Sequence, residues 1–445
     1  MKVYSFPQGG ISFGDPDSPP KDRSTVAFLP GISVISLIQH AGDRAEPTVS
    51  IGDYVREGML IGRARGTGSA NIHAPVPGKV IRMVSWKSAG GILNDALVIR
   101  MEGAFELLGK PEAVHPWEGL SAFELRQLIA DFGIVEMEGR GLPVAEILAG
   151  KNLQAMPGNV PSKSGAGTPL TLVIRCVFDD PWLAADIVLC RERIKAVVEG
   201  AVIAARAAQV TGILFAVTRG EQALGKALLA EAESYNISAS LALVGSRYPQ
   251  SNRRELEMVL RVYEKGENLS LGGMIILGPA TLAAIHDAVK LRKPILERYV
   301  AVGGSAVKSP EVMKVRIGTR IGELFAECGG FIDKPKRIAS GSPFLGRAVA
   351  DLDEPVIKTT YAVFARLNSH LGERRTQNCI SCGECRLVCP VGLDPEELYK
   401  RIQTGGDAGG ANRCHGCGCC EVVCPSHLPL IAAIVNFTGR EKQSV

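Results

Sequence analysis

The feature that most constrains this chain is a cysteine spacing that occurs twice near its end. CISCGECRLVCP places Cys379, Cys382, Cys385 and Cys389 at C-x2-C-x2-C-x3-C-P, and CHGCGCCEVVCP repeats it with Cys414, Cys417, Cys420 and Cys424. Three thiolates on one tight loop reach three corners of a cubane. In two-cluster proteins the fourth, followed by proline, ligates the other cluster. The spacing therefore predicts one [4Fe–4S] centre on Cys379, Cys382, Cys385 and Cys424, and a second on Cys414, Cys417, Cys420 and Cys389. A zinc site closes on two widely separated pairs instead. Disulfides need an oxidising compartment, to which nothing in the sequence points. Cys419 falls off the spacing and reads as a spare thiol, while Cys176, Cys190 and Cys328 read as small apolar residues. The chemistry these runs imply is the movement of single electrons.

At 445 residues the chain has room for three or four domains. A net charge of +4 is too small to argue for nucleic acid. The start, MKVYSFPQGG, has no apolar core for a signal peptide. No stretch of eighteen apolar residues predicts a membrane span.

The patterning predicts a multidomain chain of mixed β and α/β structure. Residues 1–110 alternate in short β-runs between glycine, proline and aspartate turns. Within them SIGDYVREGMLIG and IHAPVPGKV resemble the half-motifs of a biotinyl/lipoyl-like barrel-sandwich domain. They lack the Met-Lys pair that carries the prosthetic group, so a carrier role is not expected. His40 and His73 are possible metal ligands, and the better reading is ordinary histidines bonded to backbone. Residues 118–265 alternate amphipathic helices with compact apolar runs such as TLVIRCVF and GILFAVT, which predicts a Rossmann-like parallel layer. Residues 266–350 read as a smaller α/β unit. A helical linker then leads to the cluster domain at 365–430, and the last dozen residues read as frayed.

Across these segments the phrases FPQGG (Phe6 to Gly10), QH-x-G with EP (Gln39, His40, Gly42, Glu46, Pro47), GDYV, HAPVPG, RYPQ, PATLAAIHDAV, KPILERYVAVGG and GTRIGELFAECGG occur in order before the two cysteine runs. In that order they resemble the C subunit of the Rnf ion-translocating oxidoreductase. The resemblance implies a barrel-sandwich domain, an NADH- and FMN-binding α/β domain like that of respiratory complex I, a β-grasp-like SLBB unit and an α-helical, ferredoxin-like domain with two [4Fe–4S] clusters. It implies a peripheral protein on the cytoplasmic side of the plasma membrane. Its partners there are the other subunits of the complex, among them a ferredoxin-like B subunit. Electrons pass between NADH, through FMN, and the ferredoxin side.

The expected cofactor loop departs from the family phrase. Where members carry a phrase close to GIVGLGGAGFPT, this chain reads GIVEMEGRGLPV. Gly133, Gly139 and Gly141 follow it, but Glu136, Glu138 and Arg140 replace two glycines and an alanine. A carboxylate beside a phosphate costs on the order of 1–4 kcal/mol at surface dielectric. A second phrase near ECEPYLTAD appears as FDDPWLAAD, keeping an acid at Asp180 and the aromatic at Trp182 but placing Phe178 and Asp179 where glutamate and cysteine stand. After RYPQ the usual GGE is Ser251, Asn252 and Arg253. The implied FMN and NADH contacts are Gly133, Gly139, Gly141, Asp180 and Trp182. Two alternatives follow: a cluster-only relay whose nucleotide site is lost, or a soluble flavin reductase of the cobalamin-reductase kind. The barrel-sandwich phrases oppose the second.

Overall fold

The structure, a computed structural model, describes residues 2–87, 93–150, 170–210, 212–367 and 375–441. Its centre is a five-stranded parallel sheet in the order Val3–Tyr4, Ser238–Val244, Gly212–Thr218, Leu170–Cys176, Gly273–Leu277. The inner strands are mostly apolar because helices cover both faces. Leu172, Ile174 and Phe215 pack with helices Ile194–Ala208 and Pro279–Lys290. Val173, Leu214 and Ala216 pack with Leu256, Val259 and Leu260 of helix Arg253–Gly266. After the strand Leu170–Cys176 the next two strands add on one side and Gly273–Leu277 on the other. The order thus reverses between Leu170–Cys176 and Gly273–Leu277, and a crevice opens outside their carboxyl ends.

This sheet corrects two sequence expectations. Val3–Tyr4, read as part of the N-terminal β domain, pairs in parallel with Ser238–Val244. Gly273–Leu277 and the helix after it, read as opening a smaller unit at 266, complete the α/β layer. Both pairings join segments far apart in sequence, which local patterning does not reveal.

The barrel-sandwich region has one antiparallel sheet in the order Ile32–Ser36, Leu93–Met101, Gly78–Lys87, Tyr54–Val55, and a smaller one of Glu46–Pro47, Leu60–Arg63 and Ile72–His73. Alternate residues, including Ile35, Leu37, Ile61, Ile72, Leu97 and Ile99, fill its own core. A third sheet runs in the order Arg347–Ala348, Arg337–Ser340, Ala362–Arg366, Glu297–Gly303, Glu311–Arg316, Thr25–Val26. It draws its edge strand Thr25–Val26 from the N-terminal segment. Ala362–Arg366 is a strand here, where the sequence reading placed a helical linker, because Ala362, Val363, Phe364 and Ala365 are all buried in this sheet. The cysteine-rich segment is built of short helices, Glu384–Leu387, Pro395–Gln403 and Cys419–Val422, closed by Leu430–Glu441. That last helix lies where fraying was expected, held by Ile434 in a small core with Leu393 and Leu398.

Candidate functional site

The two cysteine runs fold into two adjoining hollows. Cys379, Cys382, Cys385 and Cys424 line the first, with Glu396 and Leu428 around them. Cys389, Cys414, Cys417 and Cys420 line the second, with Cys419 and His415. The fourth cysteine of each run crosses to the other hollow. Left-handed glycines at Gly383 and Gly418 let each loop turn back on itself. Backbone N–H groups of Ser381, Leu393 and Gly416 donate to the sulfurs of Cys379, Cys389 and Cys414 at 3.3–3.4 Å.

The surroundings differ. Cys382 is exposed at the first hollow. The second is walled by distant segments. Gly9 lies against the Cys389 backbone so closely that a Cβ would stand 2.6 Å from its carbonyl. Gly10 N–H donates to the Val388 carbonyl at 2.9 Å. Arg247 in turn holds the N-terminal phrase, donating to the carbonyls of Gly9 (2.6 Å) and Phe6 (3.0 Å). Tyr248 donates to the Cys417 carbonyl at 2.7 Å and packs with Phe13 and Phe344. FPQGG and RYPQ thus meet as a clamp on the second hollow.

Beside that hollow, at the switch point of the parallel sheet, lies a cavity of about 510 Å³. Arg175 and Ile276 line it from the ends of the two strands between which the order reverses. Glu136, Glu138 and Gly139 come from the loop after Gly133, Arg253 and Arg254 from a helix start, and His415 from the second cysteine run. His415 therefore belongs to both the cavity and the hollow, its Nδ1 paired with the fully buried Glu255 at 2.7 Å.

The two loop carboxylates are not solvated charges. Glu138 accepts from the N–H groups of Ala280 (3.1 Å) and Thr281 (3.2 Å) and from the Thr281 hydroxyl at 2.5 Å. It thereby caps helix Pro279–Lys290 at the place where a Rossmann-type layer offers its N–H groups to an anion. Nearby lies Asp186, whose pKa burial pushes up to about 6. Burial, then the neighbouring Glu138, raise the pKa of Glu136, which favours its neutral form.

Of the other sequence candidates, Gly139 lines the cavity, while Gly133 and Gly141 serve the fold. A Cβ at Gly133 (φ +65°) would stand 2.1 Å from the Asn71 carbonyl, and one at Gly141 (φ +77°) 3.0 Å from the His40 Cα. Both glycines admit the barrel-sandwich phrases. Asp180 caps the turn Pro181–Leu183, accepting from Trp182 N–H at 2.9 Å. Trp182 is fully buried against Phe364, its indole N–H donating to Asp15 at 2.8 Å. Neither residue reaches the cavity, because short-range capping and core packing claim both side chains. Arg175, Arg253, Arg254 and His415 were missed. The available signals were a charge inside an apolar strand run and a histidine adjoining a cluster cysteine.

His40 and His73 meet at the barrel–loop junction beside Lys358, whose buried ammonium donates to the carbonyls of Asn71 (2.8 Å) and Gly133 (2.7 Å). Contrary to the sequence expectation, both His40 ring nitrogens lack a partner. Burial, helped by Lys358, lowers His40 to about 4 and His73 to about 3.

Known protein families match the chain domain by domain. The RnfC barrel sandwich hybrid domain matches residues 8–104, the Nuo51 FMN-binding domain 129–287 and the SLBB domain 299–348. The C subunit of the ion-translocating oxidoreductase complex of Rhodobacter capsulatus is 32% identical over 86% of this chain and 72% of its own length. The chain belongs to the RnfC family. Other RnfC relatives include the C subunit of the proton-translocating ferredoxin:NAD(+) oxidoreductase complex of Clostridium ljungdahlii, 29% identical over 84% of this chain and 79% of its own. The C subunit of the ion-translocating oxidoreductase complex of Pseudomonas aeruginosa is 32% identical over 85% of this chain and 48% of its own. The Nuo51 match, residues 129–287, spans the switch-point cavity's loop, its two strand ends and its helix starts, which places the RnfC cofactor domain around that cavity. Among the described residues no helix is long and apolar enough to cross a membrane.

Proposed function

We propose that this chain is the electron-input subunit of an Rnf-type ion-translocating oxidoreductase complex, passing electrons between NADH and two [4Fe–4S] clusters on the cytoplasmic face of the membrane. One observation carries the reading: His415 lines both the switch-point cavity and the second cysteine hollow. A redox group in the cavity is then separated from the second cluster by a single layer of side chains. The first hollow, with exposed Cys382, Ile380 and Leu387, faces outward toward a ferredoxin-like partner.

Clusters fit the hollows better than zinc does. Four sulfurs around one zinc ion stand about 3.8 Å apart, given a Zn–S bond near 2.3 Å. Among the described residues no three His, Cys, Asp or Glu side chains converge closely enough for a single ion. The cavity also suits FMN: its size is that of a cofactor site, and Arg175, Arg253 and Arg254 offset its carboxylates. When bound, FMN exchanges a hydride pair for single electrons. The chain's own residues position and shield. Glu255 orients His415, Tyr248 and Gly9 hold the second hollow against the α/β layer, and the buried strand ends keep water from the cavity floor.

The test is affinity purification of the tagged chain from solubilised membranes, with iron analysis. Integral membrane partners and about eight irons per chain are expected for two cubanes. Recovery of the chain alone from the soluble fraction, still reducing flavin, supports the soluble reductase instead.

A further inference from the structure

The departures from the family phrase fall on opposite walls of one cavity, and their charges are complementary. On the loop wall, Glu138 already occupies the N-terminus of helix Pro279–Lys290, with three donors satisfied. A Cβ at Gly278 would stand 2.3 Å from its carboxylate, so no room for a phosphate is left there. On the opposite wall, Arg253 stands where the family phrase has glutamate. Its Nε and Nη1 are buried without a hydrogen-bond partner, as is the Nε of Arg254. The Nε–H and Nη1–H bonds point in different directions, and each suits an oxygen of an anion. Leaving such donors buried and unmatched is costly, so a partner is expected. Across the cavity the acid whose charge acts most on Arg253 is Glu136, and burial, then Glu138, raise its pKa against the pull of Arg253 and Arg175. Arg175, held through the Ser251 carbonyl at 3.0 Å, adds a further positive charge.

We infer that this cavity binds its ligand's phosphate on the arginine wall, through Arg253 with Arg254 and Arg175, and that Glu138 closes the helix site on the opposite wall. The ligand class is a phosphomonoester of flavin size, held in reversed charge order relative to a glycine loop. The inference rests on the flavin reading above and adds the side from which the phosphate is gripped. It also accounts for the paired departures: carboxylates on one wall are tolerated because the anion sits on the other.

The test compares FMN with riboflavin, which lacks only the phosphate. Anaerobic, cluster-loaded protein is titrated with each and binding is read from quenching of flavin fluorescence. FMN is expected to bind at least tenfold tighter than riboflavin. In Arg253→Gln the ratio should fall toward one while riboflavin affinity holds within about twofold. Glu136→Gln should keep the ratio, and iron content checks that both variants are folded. An undiminished ratio in Arg253→Gln, or equal affinities in the unaltered chain, overturns the inference and leaves the flavin reading standing. Binding of neither flavin overturns both.

Discussion

The two cysteine hollows share a spacing but not an environment. The first is made almost wholly by its own segment and opens to solvent at Cys382. The second is pinned by Gly9, Gly10, Arg247 and Tyr248 and shares His415 with the switch-point cavity. On the proposed function, one motif is put to two uses: an inner station beside the cofactor cavity and an outer one open to a partner. Burial and N–H···S bonds tune cluster potentials, so the two stations need not be redox equivalents despite equal ligand sets.

The largest expected effect separates them by substitution. Cys382→Ser and Cys417→Ser should each lose about half of the chain's iron. With NADH and FMN present, Cys382→Ser should still show a reduced second cluster. Cys417→Ser should leave the first cluster unreduced by NADH yet reducible by dithionite. Paramagnetic resonance reads both, and full iron retention in either variant contradicts the ligand assignment.

A smaller effect probes the clamp. Gly9→Ala places a methyl against the Cys389 backbone at a left-handed φ of +69°, whereas Gly383→Ala, at φ +79°, meets nothing within 4 Å. Strained positive-φ positions cost roughly 1–3 kcal/mol. Gly9→Ala should therefore lower the melting temperature more and perturb only the second cluster's signal. Equal effects would mean the N-terminal phrase does not support the inner station.

The smallest effect concerns the junction between barrel and cofactor loop. Burial lowers Lys358 to about 7 from its ordinary 10.5. Between those values the unfolded chain binds the extra proton, so stability rises with pH from about 7 to 10.5 and falls away as pH drops through that window. Below about 7 both states carry the proton, and this group's contribution is flat. His40 and His73 act with the same sign in acid, removing stability as pH falls below 6.5. Lys358→Met should flatten the alkaline rise in melting temperature without changing cluster content.

How much of this was legible in the sequence follows the same inner–outer division. Each cysteine motif is carried by a few residues on one loop, so its spacing is legible without the fold. The cavity is assembled from the loop after Gly133, the ends of two parallel strands, a helix start at Arg253 and His415, segments scattered along the chain. Phrase matching pointed to Asp180 and Trp182, whose side chains turned out to be a cap and a core aromatic. Arg175 looked like one charge in a strand, and only the reversal of strand order places it at a crevice. The edge strands Val3–Tyr4 and Thr25–Val26 were hidden for the same reason: each is two residues long, paired with strands hundreds of residues away.

The most direct test is an anaerobic titration of the reconstituted protein with NADH in the presence of FMN, following flavin bleaching by absorbance and the clusters by paramagnetic resonance. The account predicts that NADH bleaches the flavin and reduces the second cluster, with electrons reaching the first only while the second is intact. Reduction of two clusters by dithionite with no response to NADH would contradict it and leave the chain a relay that receives its electrons from a partner.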